Sequence, residues 1–75
     1  MPDITKSKIQ KYLYDMFNKD YTQLEHTASL LVVRRHAKDI LNGKRIDGNL
    51  LQETKDYLNE VIDDVTKMIN QKVGS

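Results

Sequence analysis

The residues best suited to chemistry form a basic cluster in the middle of the chain. Arg34, Arg35, Lys38, Lys44 and Arg45, against the single acid Asp39, give positions 34 to 45 a net charge of +4. Arginine forks suit phosphate or carboxylate, so the segment could hold nucleic acid or an acidic protein partner. The plainer reading is internal pairing. Positions 50 to 70 carry five acids and two lysines, a net charge of −3, and cations gather naturally near the C-terminal end of a helix, where the dipole favours them.

Other chemistry is less well supported. His26 and His36 are ten residues apart on one expected helix, about 15 Å at 1.5 Å per residue, too far to share a metal ion. Glu60, Asp63 and Asp64 resemble a carboxylate cluster, but neighbours on a helix point about 100° apart, so Asp63 and Asp64 do not converge. Asp64 borders an apolar stripe and suits a polar partner such as Arg34 or Arg35. Tyr12 and Tyr57 read as core or boundary residues, Tyr14 as an exposed ring. Their spacing does not gather them into a stacking platform. No nucleophile with a nearby base and no glycine-rich phosphate loop is visible. The expectation is therefore a non-enzyme with no catalytic residue, metal or cofactor.

These residues must be positioned by helices. The chain of 75 residues has three glycines and one proline, Pro2, so breakers are nearly absent from positions 3 to 42 and a β-rich fold is disfavoured. A first helix is expected over about 4–17, with Ile9, Tyr12, Leu13, Met16 and Phe17 on one stripe. Asp3 is its expected cap, and Ser7 with Gln10 a competing capping box; Asn18 can end it in a left-handed conformation. Thr22 and Glu25 read as a capping box opening a second helix over about 23–41. There Leu30 to Val33 is apolar all round, as in a helix held between neighbours. Gly43 ends it. Ile46 with Leu51 as a staple behind an Asp47 cap, or Asn49 with Gln52 as a capping box, opens a third helix over about 49–70.

The third helix dominates. Leu51, Thr54, Leu58, Val61, Val65 and Met68 recur at spacings of three and four over about six turns. At 1.5 Å per residue it is about 30 Å long, against about 20 Å for the first. This mismatch predicts a stripe too long for one chain to shelter.

The fold class expected is all-α: a single domain over 1–75, a three-helix bundle of antiparallel helical hairpins packed as a homodimer through the C-terminal helix. Leu51, Leu58, Val61, Val65 and Met68 are its expected interface. Buried anchors are Ile9, Leu13, Met16, Phe17, Leu31, Val33, Ile40, Leu58, Val61, Val65 and Met68. With no cysteine there is no disulfide to support so small a core, which leaves a partner chain as the remaining support. A net charge of +1 is low for a nucleic-acid coat. No apolar run approaches the roughly 20 residues of a membrane span, and MPDITKSK lacks the apolar region of a secretory signal. The function expected is a small soluble, cytoplasmic interaction or regulatory module. The alternative is a nucleic-acid-binding module using the basic cluster.

Overall fold

The computed structural model describes residues 1–74. A two-residue strand β1 (Asp3–Ile4) leads into α1 (Lys6–Phe17); a 3-10 turn (Tyr21–Gln23) leads into α2 (Thr27–Leu41); a second short strand β2 (Asn49–Leu50) leads into α3 (Gln52–Val73). The mostly helical, three-helix class is as expected. The start of each helix is not.

Thr5, not Asp3, caps α1: its side-chain oxygen accepts from the Lys8 amide at 3.2 Å. Asp3 is drawn instead into a parallel pairing in which Asp3 and Ile4 lie opposite Asn49 and Leu50. The same pairing removes both expected caps of α3. The Asn49 amide donates to the Pro2 carbonyl at 2.8 Å and its side chain donates to Asp3 Oδ1 at 3.2 Å. Leu51 is left at the N-cap with no side-chain bond. Gly48 makes the close approach possible. Its φ is +151°, and a Cβ there would lie 2.5 Å from the Pro2 carbonyl oxygen and 2.9 Å from Ile4 Cγ1.

The Thr22–Glu25 capping box does not form. Asp20 takes both the Thr22 amide (2.9 Å) and the Thr22 hydroxyl (2.8 Å) on Oδ1, the local turn that aspartate offers in competition with a helix. The chain turns at 21–23, runs extended through Leu24 to His26, and α2 begins four residues late. The detour buries Tyr21 and Leu24, which a helix starting at 23 would not. The other end of α2 is as expected. Gly43 adopts φ +80°, its amide donates to Ile40 and the Lys44 amide to Asp39, the paired bonds of a Schellman ending.

The core is a single cluster. Leu30, Val33, Ala37 and Ile40 of α2 face Leu58, Val61, Val65 and Ile69 of α3, and Ile4, Ile9, Leu13, Tyr21 and Leu24 close the remaining side. Leu31 is not an anchor: it is 43% exposed, with Val32 at 41%, because α2 has a neighbour on one side only. Met16, Phe17 and Met68 are half-buried around the core, and Ile69 lies deeper than Met68.

The expected shortage of cover for α3 does not arise. Leu58, Val61 and Val65 are fully buried within one chain. Where α1 ends, Tyr21 continues along α3, donating from its hydroxyl to Asp64, and Arg34 of α2 meets Thr66 further on. The central residues of the expected dimer seam therefore offer no surface to a second copy unless the core opens. Leu51 and Met68, at either end, are half-buried.

Among the described residues Thr54 is the one polar residue sealed in the core, and its hydroxyl donates to the Ile4 carbonyl at 2.7 Å. Replacing it by Val keeps the volume and deletes the bond. We expect a loss of about 1 kcal/mol, a fall in Tm of about 4–8 °C for a domain of this size. Gly48→Ala should cost more, because its Cβ collides with backbone; thermal melts of both variants check the order.

Candidate binding surfaces

The basic cluster gathers around Asp39, but two of its arginines are engaged within the chain. α2 presents Leu31, Arg34, Arg35, Lys38, Asp39 and Asn42 along an open depression of about 470 Å³. Arg34 is half-buried and turned toward α3, where Nη1 donates to the Thr66 hydroxyl at 3.2 Å. Arg45 adopts φ +72° and reaches back so that Nε donates to Asp39 Oδ2 at 2.7 Å. That bond, ahead of the nearby charges of Arg45, Lys44 and Arg35, holds the Asp39 carboxyl below its ordinary range. Arg35, Lys38 and Lys44 are exposed.

The expected pairing of these cations with the acids of α3 is absent. Among the described residues the ion pairs are Lys11–Asp15, Arg45–Asp39 and Lys67–Asp63. Asp63 is held one turn along its own helix, and Asp56 accepts from Gln52. Asp64, expected to meet Arg34 or Arg35, accepts from the Tyr21 hydroxyl at 2.7 Å instead. The α2 face therefore keeps Arg35 and Lys38 outside any ion pair. It also carries Leu31 and Val32 within one turn of Arg35.

The tyrosines hold two arrangements that spacing along the chain conceals. Tyr12 Oη lies 3.0 Å from His36 Nδ1, with the rings 5.9 Å apart, joining α1 to α2. Tyr14, Tyr21 and Tyr57, with Gln10, Leu13 and Asp20, line a cleft of about 320 Å³ between α1, the 3-10 turn and α3. Burial, then the bond to Asp64, pushes the Tyr21 phenol far above its ordinary value. Burial, then the charges of Asp20 and Glu60, raises Tyr57. The grouping was hidden because the rings come from three elements, although Asp20 before Tyr21 and Thr22 signals the turn that delivers one of them.

His26 is the exposed residue before α2, and His36 is bonded to Tyr12. Among the described residues no group of three or more His, Cys, Asp or Glu could hold a metal ion, and no helix is long and apolar enough to cross a membrane.

Burial first, then Arg45, lowers the His36 pKa below 6.5, with Asp39 opposing. A folded-state pKa below the unfolded one gives stability that is full above pH 6.5 and is lost as pH falls through the folded value. Thermal melts from pH 7.5 down to 5 should show falling Tm in the wild type and a flatter profile in His36→Gln.

Compared with known proteins, the chain matches no family model, no curated sequence and no solved structure.

Proposed function

We propose that the chain is a non-enzymatic interaction module that receives an acidic amphipathic segment of a partner protein on the outer face of α2. The observation that carries this reading is the composition of that face. Leu31 and Val32 are 43% and 41% exposed, and Arg35 and Lys38 follow within two turns, outside any ion pair. An exposed apolar pair beside unpaired cations matches a helix with an apolar stripe and acidic flanks. The apolar side chains supply contact area and the charges supply orientation and encounter rate.

The nucleic-acid reading uses the same cations, with Arg35, Lys38 and Lys44 as phosphate contacts. It leaves Leu31 and Val32 without a role, since phosphate contacts are electrostatic. The overall charge of +1 also supplies little long-range attraction for a polyanion.

A designed helical peptide with a Leu stripe and Glu flanks, titrated into the labelled protein, tests the two readings against duplex DNA. The peptide should shift amides of residues 28 to 42. Leu31→Ser and Arg35→Glu should each weaken it about tenfold, equivalent to about 1.4 kcal/mol. DNA that is retained near 0.15 M salt with a steep salt dependence, and is insensitive to Leu31→Ser, would replace this reading with the nucleic-acid one.

A further inference from the structure

The cleft between α1, the 3-10 turn and α3 has a composition unlike the rest of the surface. Three of its six lining residues are tyrosines, one is the carboxylate Asp20, and no Lys or Arg is among them. Two further acids stand behind its walls. Asp64 is anchored under Tyr21 by the 2.7 Å bond from its hydroxyl, and Glu60 is near enough to act on both Tyr21 and Tyr57. Asp20 is fixed in place by the Thr22 amide and hydroxyl, which also hold its carboxyl below the ordinary range. It is therefore ionised at neutral pH.

Aromatic faces attract a cation through the ring quadrupole, and more so where the cation's water is displaced. Carboxylates around the rings add net charge of the right sign, while the rings pack against methyl or methylene groups. A second observation points to the same ligand chemistry. The chain already places one ammonium on this system: Lys6 Nζ lies 5.4 Å from the centroid of Tyr57. Lys6 is not among the residues lining the cleft.

We propose that the cleft formed by Tyr14, Tyr21, Tyr57 and Asp20 binds an organic ammonium group, either a lysine side chain, free or methylated, or a quaternary amine. Tyr14, Tyr21 and Tyr57 line the site, Tyr14 with 51% of its surface exposed. Asp20, Glu60 and Asp64 supply the negative field. α2 contributes no residue to this cleft, so the proposal stands independently of the α2 face.

The test is an NMR titration of the full chain with choline and with 3,3-dimethylbutan-1-ol, which has the same shape without the charge. Choline should shift the ring signals of Tyr14, Tyr21 and Tyr57 in a saturable way. It should bind about three- to tenfold more tightly than the neutral alcohol, the range a cation–π contact supports. Tyr14→Ala should weaken choline binding by a similar factor, and Tyr14→Phe, which keeps the ring, should restore it. Because Tyr14 lies outside the core, both variants retain the fold. Equal binding of the alcohol, shifts confined to other residues, or a Tyr14→Ala variant that binds as well as the wild type overturns the proposal. N-acetyl-lysine methylamide and its trimethylated form, run beside choline, identify the source by which of the three binds most tightly.

Discussion

The constraint that shapes this molecule is the apolar stripe of α3. Thr54, Leu58, Val61, Val65 and Ile69 form a buried line along its 22 residues, about 33 Å of helix, and one short chain has to cover it. α2 covers most of it. The remainder falls to Ile9 and Leu13 of α1 and to pieces outside the α-helices: Ile4 of β1 at the start, and Tyr21 and Leu24 of the first connection further along. Each departure from regular helix therefore has a common cause. The chain gives up helical hydrogen bonds at 20–26 because an extended segment reaches further per residue than a helix and carries two apolar side chains to where α1 no longer reaches.

The same constraint explains the small parallel pairing. Strands of two residues add little on their own, but they fix where α1 and α3 begin relative to each other. The Thr54 hydroxyl then ties the first turn of α3 to the Ile4 carbonyl. A buried hydroxyl without a partner is costly, so this bond also selects one register for the pair. Gly48 admits the approach because any side chain there would meet backbone.

Surfaces follow from what the core leaves over. Once α2 has placed Leu30, Val33, Ala37 and Ile40 inward, its other face has no neighbour, and Leu31, Val32, Arg35 and Lys38 are left outside. The acids of α3 do not reach that face. Asp56 and Asp63 are engaged along their own helix, and Asp64 with Tyr21. Positive charge and exposed apolar area thus collect on α2, while carboxylates and tyrosines collect where α1, the 3-10 turn and α3 meet. A chain of nearly zero net charge acquires two faces of opposite character.

The sequence by itself determined three helices, most of their inward residues and the glycine ending of α2, because those depend on spacing and on local turn chemistry. Leu58, Val61 and Val65 were legible as buried from periodicity alone, and Arg35 and Lys38 as part of a basic segment. What the stripe of α3 packs against was not legible, since periodicity says that a face is covered and not by what. Only the tertiary structure decided that the cover comes from the same chain, that Asp3 and Asn49 pair and are not caps, and that Asp20 outcompetes the Thr22–Glu25 box. It also decided the company of Tyr14, Tyr21 and Tyr57. Those are contacts between residues far apart in sequence, and their energies depend on which alternative partner lies closest in space.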